Sequence, residues 1–355
     1  MALAVADSLS GAAEALESQD DGKVCNALAV IANAGDAGKN HFGKVLDLAK
    51  GTNNIAIKRA ALEAVAATCK GQDSQATPVL EEGLTSNDAG IRTAAAHGLG
   101  HLKAEGSVAK LSPLLTDSHM LVRNAAMGAL AAVGAKAGPE AKTVAANLRA
   151  PLLRVDAIRA LGKLGKEGAS HAEEIAVYLE DSDASVRLSV AEALRNMGDA
   201  VPDSVVEKAA DLLDHQQDRF RATAALAVGS LGAARAGKYT AKLAKMLREN
   251  ALTFSSPLLA PNCAAAIALG RLGAEGELLS RYLKSKSGRM RAAVCEAFAE
   301  MGKGGVAHAS AIAACLEDED PGVRSAALSA LEVLQKAGGL DSSVTAAMDK
   351  ASAAS

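Results

Sequence analysis

The stretch VRLSVAEALRNMG, Val186 to Gly198, decides the fold. Counted from Arg187, apolar residues fall one place before it and at +3, +6, +7 and +10. That is the i, i+3, i+4, i+7 spacing of an amphipathic helix. Gly198 at +11 is a stop signal, because glycine tolerates the left-handed backbone that closes a helix. Asp183, just upstream, supplies a start signal as an N-cap.

The same skeleton recurs. VRNAAMGALAAVG ends at Gly134, LRVDAIRALGKLG at Gly165, FRATAALAVGSLG at Gly232, MRAAVCEAFAEMG at Gly302 and VRSAALSALEVLQ at Gln335. Weaker copies begin at Lys23, Ile57, Ile91 and Pro261. Placed at their second residue, the ten copies stand at 24, 58, 92, 123, 154, 187, 221, 262, 291 and 324. The steps between them run from 29 to 41 residues, so the chain is a repeat array and its length counts copies. Between copies lies a second, shorter helical segment: Glu140–Leu148, His171–Asp181, Tyr239–Leu247 and His308–Asp318 share its outline. Neither helix of a unit buries its apolar stripe alone, but stacked pairs make a continuous core.

Composition points the same way. Of 355 residues 81 are Ala, with four Phe, three Tyr and no Trp, which suits helices packed at short range and poorly fills a single globular core. Lys and Arg total 38 against 41 Asp and Glu, so the basic footprint of a nucleic-acid binder is missing. The five cysteines (Cys25, Cys69, Cys263, Cys295 and Cys315) contain no C-x-x-C pair and read as small buried fillers in a reducing compartment. Asp7, Glu14 and Glu17 make the first residues unlike a signal or transit peptide, and no uncharged apolar run reaches membrane-span length. A cytoplasmic protein with no membrane insertion is expected.

The pattern D-x-D-x-x-V-R-x-x-A-x-x-A-L-x-x-(M/L/V)-G resembles HEAT repeats, in particular the short type of phycobilisome-lyase-like proteins. Glu180–Gly198 and Glu317–Leu334 carry it best, and the likeness covers about residues 1–350. It implies an all-α superhelix of about ten helix pairs. Residues 1–355 would form one solenoid domain, with an insertion at 248–262 and a C-terminal cap or tail at 341–355.

The arginine column Arg92, Arg123, Arg154, Arg187, Arg221, Arg291 and Arg324, with Lys58 in the second copy, is its most regular charged feature. We expect a structural ladder, each arginine pairing with the aspartate of the preceding turn and neighbouring carbonyls. In HEAT proteins the motif helix generally lines the concave face. Its non-core positions +5, +8 and +9 then nominate His97, His101, Arg159, Lys163, Arg195, Arg271, Glu296 and Glu300 as partner-binding residues. This mosaic suits a protein of complementary charge. The 41-residue step places the insertion, with Phe254, Pro257 and Pro261, as a second candidate surface.

Chemistry is poorly represented. His97 and His101 sit i, i+4 without a carboxylate between them, so no metal site is expected. GKGG, Gly302–Gly305, lacks the strand and the Lys-Ser/Thr of a P-loop. Iron-binding HEAT hydroxylases carry His-Glu dipeptides, and none of the seven histidines here is followed by Glu. The expectation is a non-enzymatic scaffold or adaptor without cofactor that binds protein partners. An architectural subunit of a large cytoskeletal, axonemal or organellar assembly is the alternative, and a bilin lyase or chromophore chaperone the second.

Overall fold

The computed structural model describes residues 2–248 and 260–354. Among them every regular element is helical. The motif copies form ten helices, labelled here α1 (Asp21–Asn33), α2 (Ile55–Thr68), α3 (Ala89–His101), α4 (Met120–Val133) and α5 (Arg154–Lys163). They continue as α6 (Ala184–Met197), α7 (Asp218–Gly229), α8 (Pro261–Arg271), α9 (Gly288–Glu300) and α10 (Pro321–Gly338). A companion helix precedes each, shorter than its motif helix in every copy but the first, such as Phe42–Gly51 before α2 or Asp203–Asp211 before α7. Several companions end in a 3-10 turn, as at Val177–Glu180 and Ala314–Glu317, where tighter i→i+3 bonds close a very short helix. The chain forms two compact units, Met1–His171 with α1–α5 and Ala172–Ser355 with α6–α10. Residues 249–259, most of the expected insertion, lie outside the described residues.

Two columns of the motif make the core. The +7 residues Ile31, Val65, Leu99, Leu130, Leu161, Leu194, Val228, Leu269, Phe298 and Leu331 are all fully buried. Each contributes about 2 kcal/mol by leaving water. The +3 column is Ala except for Val190 and Val294, and is equally buried. Small side chains there let neighbouring motif helices close up. At Gly270 in α8, an added Cβ would lie 2.2 Å from the carbonyl oxygen of Ala297 in α9.

The stops behave as their chemistry dictates. Gly35, Gly134, Gly165, Gly198, Gly232, Gly273 and Gly302, the seven glycines at +11, have φ between +52° and +79°. In the third copy Lys103 holds that slot and takes the same conformation, φ 50°. At the starts, Asp88, Asp183 and Asp320 accept hydrogen bonds from backbone N–H groups of α3, α6 and α10 at 2.7–2.9 Å. Asp117 departs from this pattern. His119 is the N-cap residue of α4, and Asp117 accepts from its N–H at 2.8 Å. The C-terminal segment forms the helix Ser342–Ala354, which buries Val344 and Met348.

Candidate interaction surface

The arginine ladder staples each motif helix to its own companion. All seven arginines donate to the carbonyl six residues upstream, at 2.6–3.0 Å: Ser86, Asp117, Leu148, Asp181, His215, Ser285 and Asp318 in order. Those carbonyls lie at companion C-termini, where helix geometry leaves acceptors unpaired and the dipole favours a cation. The aspartates that the sequence offers as partners are used differently. Asp88, Asp183 and Asp320 cap their own helices, while Arg221 does pair with Asp218 at 2.6 Å. Arg92 and Arg291 also reach forward into the next unit of the array, each gripping one carboxylate with two nitrogens. These guanidiniums hold Asp117 and Asp318 below the usual carboxylate range. Arg187 is buried against Phe220, whose ring centroid is 5.5 Å from the guanidinium carbon.

In the first unit, the face of α2–α4 away from the core carries a stretch of small residues between longer ones. A groove of 480 Å³ crosses α2–α4 over Ala66, Ala67, Gly100 and Gly128, with Glu63, His97 and His101 standing at its sides. Both histidines are exposed. A second hollow of 340 Å³ shares Glu63 and His97 and adds Arg59, His119, Met120 and Leu121. Arg159 and Lys163 are exposed one turn apart on α5 and line neither hollow. An exposed apolar set, Ile55, Leu121 and Leu152 at 55–77% exposed, escaped the sequence reading. Its signal was present: Leu121 and Leu152 stand two places before a ladder arginine, where other copies carry Gly90, Ser185 or Arg289.

In the second unit some of the same register positions carry long polar side chains that are tied together. Arg195 on α6 donates to both oxygens of Glu300 on α9, at 3.0 and 2.8 Å. Arg271 on α8 donates to Glu300 at 3.2 Å and to Ser230, just past α7, at 3.2 Å. Glu296 stands beside them. It meets water, yet the protein around it desolvates its carboxyl enough to push it above the ordinary range against the pull of Arg271. The structure therefore brings Arg195, Arg271, Glu296 and Glu300 together, and His97 with His101 in a separate group.

Among the described residues, no three His, Cys, Asp or Glu side chains gather as metal ligands. Burial raises the Cys69 and Cys263 thiols to about 11, which keeps them unreactive. No helix among the described residues is long and apolar enough to cross a membrane.

Comparison with known proteins agrees on architecture. The family described as HEAT repeats matches residues 42–131, 77–150 and 139–229, and one described as a HEAT repeat associated with sister chromatid cohesion matches residues 309–331. The match is to HEAT repeats in general and does not reach the phycobilisome-lyase-like subtype. No curated protein matches the chain. Among solved structures, an engineered protein is 19% identical with a TM-score of 0.50, covering 93% of this chain and 100% of its own. A chain in the Kap95:Nup1 complex is 13% identical with a TM-score of 0.58. That match covers 96% of this chain and 51% of the other, so the chain spans about half its length. At these identities the likeness is one of fold.

Proposed function

The chain belongs to the HEAT-repeat family, and from that premise we propose that it is a non-enzymatic scaffold holding another protein against its motif helices. The observation that carries this reading is the open groove over α2–α4, with a Gly and Ala floor and His97 and His101 exposed at its sides. A floor without long side chains lets a partner backbone approach closely, while scattered polar groups set its register. Arg159 and Lys163 extend the contact surface in the first unit; Arg271, Glu296 and Glu300 offer one in the second. The partner is a protein rather than nucleic acid, given the balanced charge. Residues 1–355 act as one solenoid in the cytoplasm.

Photo-crosslinking in the native cell tests this. A benzophenone amino acid at His101 or Arg159 should give one discrete protein adduct, and the same group at Lys166 on the companion side should give none. Equal adducts from all three positions would remove the reading. The exposed Ile55, Leu121 and Leu152 favour a second one, a fixed subunit of a larger assembly, since exposed apolar side chains suit a permanent interface. A fixed subunit stays bound in high salt, whereas an adaptor held by charge dissociates.

A further inference from the structure

The hydrogen-bonded chain Arg195–Glu300–Arg271–Ser230 joins four successive motif helices in the order α6, α9, α8, α7. Its members occupy equivalent places, +8 for Arg195 and +9 for Ser230, Arg271 and Glu300. The link between Arg195 and Glu300 spans 105 residues of sequence and three helix-to-helix steps. Packed helices stand about 9 Å apart, so a straight stack would hold α6 and α9 about 27 Å apart. An extended Arg, an extended Glu and one hydrogen bond reach about 15 Å between Cα atoms. The bond therefore exists only because the second unit is curled toward this face.

We propose that this network is a latch that holds the second unit in its curled form, and that releasing Glu300 lets α6 and α9 move apart. Glu300 is the keystone, since it accepts hydrogen bonds from both guanidiniums and is 20% exposed. Without its charge, Arg195 and Arg271 lose the carboxylate they share, and neighbouring Glu296, whose ionised form desolvation disfavours, replaces it only in part. Ser230 anchors the inner end: its hydroxyl donates to the Leu226 carbonyl at 2.8 Å and accepts from Arg271. Arg195 is the outer end, 49% exposed, where salt reaches first. Arg195 also stands at the +8 place that Gly100, Gly229 and Gly270 occupy elsewhere, where glycine lets adjacent helices touch.

Distances between spin labels read this directly in the full chain. Asp199→Cys and Lys303→Cys place labels on exposed residues just beyond α6 and α9, in a Cys25→Ser background that removes the most accessible native thiol. The latched protein should give one narrow distance distribution. Glu300→Gln should move its mean outward by roughly 5 Å or more, part of the ~12 Å between the curled and straight stacks. About 1 M salt, with a screening length of ~3 Å, should move the latched protein the same way and leave Glu300→Gln unchanged. An unchanged distribution in Glu300→Gln at unchanged helical content overturns the proposal, as does an equal salt response in both proteins. If Glu300→Gln loses helical content, Arg195→Met cuts the exposed link alone and must give the outward shift. The partner-binding reading does not enter this test.

Discussion

The two units share one register and use its open face in opposite ways. In the first, places +5, +8 and +9 of α2–α4 carry Ala, Gly, His and Glu63 around a groove. In the second, the same places include Arg195, Ser230, Arg271 and Glu300, drawn together across four helices. The core columns that stack the helices are alike in both, so the difference lies wholly in residues the core does not need. A solenoid can thus be open to a partner along one stretch and braced along another, with no change of fold.

Three experiments can break or sharpen that contrast. The largest effect should come from the part that is shared. Leu130→Ala in the first unit and Leu194→Ala in the second each remove a fully buried +7 side chain, and each should cost about 3 kcal/mol by denaturant unfolding. A cost confined to one unit would mean the two cores are not equivalent.

Next come the forward-reaching ladder pairs, one in each unit. Arg92–Asp117 and Arg291–Asp318 have side chains only 10–13% exposed. Asp318→Asn should cost about 2–3 kcal/mol, because it leaves a guanidinium desolvated beside a neutral amide. Both carboxyls are depressed in the folded chain. Their contribution is therefore complete above the unfolded value of about 3.9 and fades as pH falls through the folded values. Acid unfolding of wild type should steepen below about pH 4, and Asp318→Asn should flatten the part assigned to the second unit. A parallel acid profile in the variant would show that the pair does not sense pH.

The smallest effects carry opposite signs. Gly128, in α4 beside the first unit's groove, has nothing within 4 Å of an added Cβ, so Gly128→Ala should stabilise by about 0.5–1 kcal/mol through helix propensity. Gly270→Ala in α8 gains the same propensity but drives a methyl into Ala297, and should destabilise by about 1–2 kcal/mol. Equal melting-temperature shifts for the two would erase the difference in helix spacing.

Much of this was legible in residues alone. The motif register named the helices, their buried columns and the glycine stops, while the positive φ of Lys103 in the third copy is visible only in the structure. The ladder was legible as a column but not as a set of bonds, because carbonyl acceptors have no residue identity to read. The aspartates nearby looked like partners, yet a helix start has first claim on them, as Asp183 and Asp320 show. Arg195 and Glu300 were both nominated, and their meeting was not. Register fixes where a residue sits on its own helix, while the curl that brings α6 to α9 accumulates from small angles at every step. The groove of the first unit was hidden for the opposite reason: it is made of what Ala and Gly leave empty.

The upstream reach of the ladder arginines has a consequence for how such a chain can change length. Each guanidinium fastens a motif helix to the companion directly before it, so the fastener and both parts it joins travel within one stretch of sequence. A duplication or deletion cut at the glycine stops would copy or remove whole fastened pairs. The array can grow, shrink or recombine by such steps without orphaning a single one of these clasps, and only ties that skip across repeats, like the one from Arg195 to Glu300, fix how many pairs must lie between their ends.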